Sequence, residues 1–250
     1  MISRVCFETC VDSLEAALAA HRGGADRIEL CAGLAEGGVT PGAGTIRHVR
    51  ELLRIPVHVL VRPRPGDFLY SADEFEAMRR DVEFARQWGA DGAVFGILLE
   101  NGSVDEERTG ELVSLARPMG VTFHRAFDVS SDPFRTMDAL IALGVERILT
   151  SGQKATAEQG ADLIRELVRR SEGRIVVMAG GGLNEGNVRS VVEKTGVREI
   201  HASARSLRES GMIHRNPDVR MGGGAGSSDY RISIADPDRI RAMRRALENV

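Results

Sequence analysis

The chain has little that points to secretion or to a membrane. Its 250 residues contain three cysteines, Cys6, Cys10 and Cys31, too few and too clustered for a secreted disulfide framework. No run of 18 apolar residues occurs. The first residues enter an apolar stretch without the basic segment of a targeting signal. We therefore expect a cytoplasmic protein, in a reducing compartment, that does not enter a membrane.

A surplus of charge of one sign is also lacking. The formal net charge is −3, from 33 basic and 36 acidic residues, which gives no strong field to attract nucleic acid or an anionic membrane surface. We predict neither partner.

Aromatic residues make up only 4% of the chain. The 28 glycines, in contrast, exceed the average share of roughly 7% and indicate many tight turns.

Short apolar runs alternate with longer segments of helical spacing, the rhythm of a parallel α/β fold. Four linkers consist of a glycine and then a charged step into an apolar run, and they begin at Gly24, Gly89, Gly144 and Gly196. Glycine readily ends a helix in the left-handed conformation. The four glycines stand about 50–65 residues apart, room for two strand-and-helix units each, which is the repeat of an eightfold barrel.

We therefore predict one α/β domain over residues 1–250, a single (β/α)8 TIM barrel. Its strands are predicted at residues 5–10, 26–31, 57–62, 92–97, 120–124, 147–151, 174–179 and 198–203. Residues 205–235 have no helical period and include a glycine-rich run, which predicts an irregular insertion before a last helix. An open doubly wound sheet is the main alternative, but no glycine-rich dinucleotide loop follows the first strand.

Polar residues occupy the positions that should face the barrel interior. Alternation sends apolar side chains such as Val5 and Phe7 outward toward the helices. Five strands then place polar side chains inward: Cys6, Glu8, Cys10, Arg27, Glu29, Cys31, His58, Arg62, Thr122, His124, His201 and Ser203. Barrel enzymes build their sites at the carboxyl ends of the strands. The structural alternative is a neutralised ion-pair network that only fills the barrel.

The first interpretation of this cluster is metal binding. Cys10 and Cys31 end adjacent strands on the same face, and neighbouring strands lie about 4.8 Å apart. Soft thiolates favour Cu(I), and His124 or His201 could supply a further nitrogen ligand. The alternative is that both cysteines are small buried hydrophobic residues.

The second interpretation is catalysis. Like-charge coupling of adjacent carboxyl groups, and a histidine oriented by an aspartate, would supply general acids and bases; the candidates are Glu8, Glu29, His124 and Asp128. Arginines and the loops after strands 7 and 8 would hold an anionic or phosphorylated substrate. These substrate-binding candidates are Arg62, Arg64, Arg125, Gly181, Gly182 and Ser203.

Several stretches resemble the CutC family, whose proteins are named for copper homeostasis. They are ETCVDS at 8–13, GGADRIELC at 23–31, GGVTP at 37–41, RPRPGDFLY at 62–70, TFHRAFD at 122–128, LTSG at 149–152, AGGG at 179–182 and HASAR at 201–205. The resemblance implies a barrel, a cytoplasmic location and Cu(I) binding by Cys10 and Cys31. Thr9 and Pro65 depart from the usual family residues, and Cys6 is extra.

Three functional hypotheses follow. The chain is a copper homeostasis protein that binds Cu(I), or an enzyme that acts on a small anionic metabolite, or a scaffold that uses residues 205–235 as an interface. The aromatic loop at 67–70 and the insertion are candidate contact surfaces, so we also expect a homodimer.

Overall fold

Eight parallel strands close into a barrel in chain order, which confirms the TIM-barrel prediction. The structure is a computed structural model that describes residues 4–219, 229–248 and 250. The strands are β1 (Cys6–Val11), β2 (Arg27–Leu30), β3 (Val57–Leu60), β4 (Gly92–Phe95), β5 (Gly120–Phe123), β6 (Arg147–Thr150), β7 (Val176–Gly180) and β8 (Glu199–Ala202). All eight overlap the predicted ranges.

Helices follow the strands and cover the outside of the barrel. They are α1 (Leu14–Gly23), α2 (Ala43–Leu52), α3 (Ala72–Gln87), α4 (Glu106–Ala116), α5 (Pro133–Ala142), α6 (Ala161–Ser171), α7 (Val188–Thr195) and α8 (Pro237–Ala246). The four linker glycines have φ between +74° and +91°, a conformation that ends the preceding helix at little cost for glycine. Within the described ranges, no helix is long and apolar enough to cross a bilayer.

The outward side chains of the strands form the main hydrophobic core. Phe7, Ile28, Val59 and Ile200 are fully buried there, together with helix residues such as Val82. Because the apolar face of each strand is committed to the helices, the polar residues at alternate positions are left to the barrel interior. The register pairs Glu8 with Arg27 and with His201 on the two neighbouring strands.

The segment predicted to be irregular begins and ends in strands. β9 (Arg205–Glu209) and β10 (Arg231–Ala235) pair antiparallel. Most residues of both strands are at least partly exposed. β9 (RSLRE) lacks the alternating apolar pattern by which a strand is predicted, whereas β10 (RISIA) has this alternation only over a short run. Residues 220–228, which contain the glycine-rich run, lie outside the described residues.

Candidate functional site

A cavity of about 370 Å³ opens at the carboxyl ends of the strands. Seven residues that the sequence placed inside the barrel or at its rim line this cavity: Cys10, Glu29, Arg62, His124, Arg125, Asp128 and His201. They come from β1, β2, β8 and the loops after β3 and β5. The cavity is thus built at the face where TIM-barrel enzymes have their sites.

Below the cavity lies a buried network of charged side chains. Glu8 is fully buried and accepts a 2.5 Å hydrogen bond from Nε of Arg27. Arg27 also donates to Glu199 at 2.6 Å, and Arg147 donates to the same carboxylate. The sulfur of Cys6 lies 3.8 Å from Arg27, so this cysteine belongs to the network rather than to the cavity lining.

Sequence reasoning missed two members of this network. Arg147 and Glu199 are the first residues of β6 and β8. Glu199 is two residues before the inward-facing His201, so the same alternation would have placed it inside. The signal was therefore present in the sequence, but it lies at the amino ends of the strands, away from the face where a site was expected.

The two buried glutamates shift their pKa values in opposite directions. Burial raises the pKa of Glu8, but Arg27 and the histidines around it lower it further, so the net shift is downward. Glu29 has no such cation bonded to it, and its Oε2 has no hydrogen-bond partner among the described residues. Burial raises the pKa of Glu29 to about 7. Neighbouring carboxyl groups thus differ because only one of them has a paired arginine.

His201 joins the charge network to the cavity. Its Nδ1 lies 2.7 Å from Oε1 of Glu8, and the Cys10 side chain lies near its ring. Burial lowers the pKa of His201, but Cys10 and Glu29 raise it, and the net pKa is well above the ordinary value. In the described part of the chain, Glu8, Glu29 and His201 form the group whose potential metal-binding atoms all lie within 4.8 Å of one another.

Cys31 lies behind the cavity wall rather than on it. The residue is fully buried beside Leu60 and Val94, and its thiol donates to the carbonyl oxygen of Val11 at 3.4 Å. Burial raises its pKa far above that of a free thiol. Without a metal ion, Cys31 is therefore a protonated core residue, whereas Cys10 lines the cavity.

Asp128 does not orient His124, so this expectation is wrong. Nδ1 of His124 accepts the backbone N–H of Ala126 at 3.2 Å. The Asp128 carboxylate instead accepts from the Ser151 backbone at 3.0 Å and from Nε of Arg125 at 2.7 Å. Asp128 thus fixes the loop after β6 at the cavity rim, while His124 is held by its own turn.

Four predicted substrate-binding residues do not line the cavity. Arg64 points to another surface, where it bonds Glu74 at 2.6 Å and Asp67 at 2.8 Å. Gly181, Gly182 and Ser203 are likewise absent from the cavity wall, and Ser203 is exposed. A Cβ at Gly181 would stand 3.5 Å from the Arg125 guanidinium, so this glycine leaves room for a rim side chain.

Comparison with known proteins agrees with this architecture. The model of the CutC family matches residues 5–206. The copper homeostasis protein cutC homolog of Homo sapiens is 48% identical over 244 residues, which cover 98% of this chain and 89% of the human protein. The family protein CutC of Bacteroides fragilis is 48% identical over 236 residues, 94% of each chain.

Solved structures give the same result. The crystal structure of CutC from Streptococcus agalactiae matches with a TM-score of 0.77 and 33% identity, over 80% of this chain and 98% of that one. N-(5'-phosphoribosyl)anthranilate isomerase from Pyrococcus furiosus matches at a TM-score of 0.59 but only 16% identity, over 98% of this chain and 100% of that one, which is a likeness of fold alone. This chain therefore belongs to the CutC family.

Proposed function

We propose that this chain acts in copper homeostasis, as its relatives are named, and that it carries Cu(I) as cargo at the floor of the cavity. The observation that supports this most is the arrangement of Glu8, His201 and Cys10. A histidine that binds a metal usually donates its other ring N–H to a carboxylate, which fixes the ring. Glu8 holds Nδ1 of His201 in this way, which leaves Nε2 for a metal ion that displaces its proton.

The donor types fit Cu(I). The Cys10 thiol is a soft ligand, and imidazole nitrogen also binds copper. Cys31 is the second thiol that the family resemblance suggests, and it lies two residues after Glu29, the residue paired with Cys10. To bind the same ion, Cys31 would have to release the Val11 carbonyl and lose its proton. We therefore assign the main ligand role to Cys10 and an additional one to Cys31.

An anaerobic Cu(I) titration against a chelator of known affinity tests this proposal. We expect one Cu(I) per chain, and a loss of affinity of more than about 100-fold in Cys10→Ser, beyond the 10–100-fold cost typical of an outer-shell partner. Cys31→Ser should lose less, and the Cys10→Ser/Cys31→Ser variant should not compete. Cys6→Ser is the matched control, because Cys6 lies beside Arg27 in the charge network. Equal affinity in wild type and the double variant would exclude the site.

A second candidate function, catalysis on a small anionic metabolite, is favoured by Glu29. Its Oε2 is buried without a partner in the described part of the chain, and the residue lines the cavity together with His124. A carboxyl group that no arginine neutralises is free to exchange a proton with a bound molecule. His124 would supply a hydrogen bond to the same molecule.

Turnover of a panel of sugar phosphates and keto acids, followed by NMR in D2O, tests the catalytic candidate. We expect the wild type to convert or deuterate at least one compound. Glu29→Gln keeps the size of the side chain and should slow that reaction by about 10²–10⁴-fold, the usual contribution of a general acid or base. No turnover of any compound, or an unchanged rate in Glu29→Gln, would count against it.

The cytoplasmic location and the homodimer stay predictions. Support for a contact surface comes from exposed apolar side chains, including Leu207 on β9 and Ile232 on β10. The register pairs Leu207 with Ser233 and Ile232 with Arg208, so each face of the two-stranded sheet carries one of these exposed apolar side chains.

A further inference from the structure

Two buried N–H donors on one wall of the cavity have no partner. Nε of Arg62 and Nε2 of His124 make no hydrogen bond to any described residue. The two residues are 7% and 6% exposed, and both line the cavity. A buried donor left without an acceptor costs about 1–3 kcal/mol. The Tyr70 hydroxyl, which is also buried, lies close to the Arg62 guanidinium. Nε2 of His124 is therefore the donor on this wall for which the described residues supply no acceptor.

The tautomer of His124 makes Nε2 its donor atom. Because Nδ1 accepts the Ala126 N–H, it carries a lone pair, and the ring proton of the neutral imidazole is on Nε2. Burial and the positive charge of Arg62 lower the pKa of His124 to about 3, which agrees with a neutral ring. A Cβ at Gly96 would stand 2.7 Å from the ring, so the ring has little room to turn away.

Arg62 carries a charge that no carboxylate bonded to it neutralises. Its Nη1 donates to the Gly38 carbonyl at 2.8 Å and its Nη2 to the Gly66 carbonyl at 2.7 Å. These carbonyl groups hold the guanidinium in place but do not cancel its charge. Its bonds within the described part of the chain are to backbone oxygens rather than to an acidic side chain. A buried charge requires a partner of opposite sign.

Phe68 brings the two donors together. The Arg62 guanidinium lies over the Phe68 ring, 5.2 Å from its centroid, and the His124 ring lies 4.9 Å from the same ring. Phe68, which also lines the cavity, therefore packs against both side chains. This wall follows β3 and β5, whereas Cys10 and His201 belong to β1 and β8 on the other side of the barrel.

We propose that this wall binds one oxyanion group, a carboxylate or a phosphate, of a small organic molecule through the Nε2–H of His124, beside the positive charge of Arg62. The cavity volume of about 370 Å³ is at the lower end of the range for small-molecule sites. The Arg125 side chain at the rim is half exposed, but its charge is paired with Asp128 at 2.7 Å, so the uncompensated positive charge on the cavity wall is that of Arg62. The inference deepens the second candidate function but requires binding only, so it can hold where no turnover is found.

Calorimetric titration of the metal-free protein at low ionic strength tests the inference. The probes are oxalate for a carboxylate, phosphoglycolate for a phosphate, and glycolamide as a neutral control. We expect saturable binding of at least one anion at one site per chain and none of glycolamide. Preference between the two anions identifies the group. Absence of saturable binding of either anion overturns the proposal.

The variant His124→Phe removes the Nε2–H but keeps an aromatic ring beside Phe68. We expect its affinity for the bound anion to fall at least about tenfold, the size typical for a hydrogen bond to a charged group. His48→Phe is the matched control, because His48 is exposed on α2 next to Glu51, and its affinity should equal that of the wild type. Equal affinity in His124→Phe contradicts the proposal.

A measurement on the wild type does not depend on the folding of a variant. In protein labelled with ¹⁵N at histidine, the neutral His124 ring should give an Nε2–H signal, and that signal should shift as the anion is added. An imidazole signal that does not respond to a bound anion also overturns the assignment of His124 as its donor.

Discussion

Replacing Arg27 with methionine is expected to lower the free energy of unfolding by about 3–5 kcal/mol at pH 7, the cost of breaking a buried ion pair from one side. Glu8 is fully buried, and Arg27 donates to it at 2.5 Å. Methionine fills a similar volume but leaves the Glu8 carboxylate with two histidines, His201 at 2.7 Å and His58 at 3.8 Å. Glu199 still accepts a hydrogen bond from Arg147, so the loss of stability comes mainly from Glu8.

The effect of this substitution should depend on pH. In the wild type the pKa of Glu8 is lowered, so its contribution to stability is present above the unfolded pKa of about 4.5 and is lost as the pH falls toward the folded value. In Arg27→Met, the arginine no longer opposes burial, so the pKa of Glu8 rises. Protonation of Glu8 at low pH then removes the buried negative charge and reduces the loss of stability. The difference between the two proteins should therefore be largest near pH 7 and smaller at pH 4.

Urea denaturation at pH 7 and at pH 4 measures both quantities. Arg79→Met is the matched control, because Arg79 pairs with Glu76 and Glu111 at the surface and exposed ion pairs contribute at most about 1 kcal/mol. A loss in Arg27→Met no greater than in Arg79→Met would show that the barrel interior does not depend on the Glu8 pair. A pH-independent difference would contradict the assigned charge of Glu8.

The barrel could be predicted because its signals are local and repeated. Apolar runs of strand length recur with linker glycines such as Gly24 and Gly144, and both take the left-handed conformation that the pattern requires. The β9–β10 hairpin could not be predicted in the same way. Its strands bury little, β9 (RSLRE) has no period-2 pattern, and the alternation in β10 (RISIA) is short, which makes the periodic signal weak.

The membership of the site was predicted better than the roles within it. Alternation placed Glu29 and His124 inside the barrel, and both line the cavity. Alternation does not say which neighbour each side chain bonds. The bond from Ala126 to His124 and the hydrogen bonds of Arg64 to Asp67 and Glu74 depend on loop conformations, which a strand pattern does not determine.

Cys31 shows that the alternation pattern also does not determine which inward-facing side chain reaches the cavity. The sequence places Cys31 at the end of the second predicted strand, inward and next to Cys10. It therefore gave no reason to expect different surroundings for the two thiols. In the folded chain Cys31 packs with Leu60 and Val94, whereas Cys10 reaches the cavity. The loop after β2 packs against Cys31 through Leu34 and Gly38, and a strand pattern does not determine the conformation of a loop.

Gly160→Ala should destabilise the protein by at least about 3 kcal/mol, at the upper end of the costs of overpacking. Gly160 has φ −91° and ψ 8°, which alanine adopts without strain, so the effect is purely steric. A Cβ at this position would stand 1.9 Å from the Ser151 carbonyl oxygen and 2.8 Å from the Gly152 Cα. Backbone atoms cannot yield as a flexible side chain does, so the loop after β6 has to move.

That movement would reach the cavity, since Ser151 bonds both Arg125 and Asp128 at the rim. Gly173→Ala is the matched control: Gly173 has φ +75°, and no described atom lies within 4 Å of the place that a methyl group would take, so alanine there costs only backbone strain of about 1–2 kcal/mol. Urea denaturation of both variants compares the two causes directly. Equal stability of Gly160→Ala and Gly173→Ala would contradict the close contact between Gly160 and the Ser151–Gly152 backbone. The position of Ser151, and of the Arg125 side chain bonded to it, would then not be fixed by that contact.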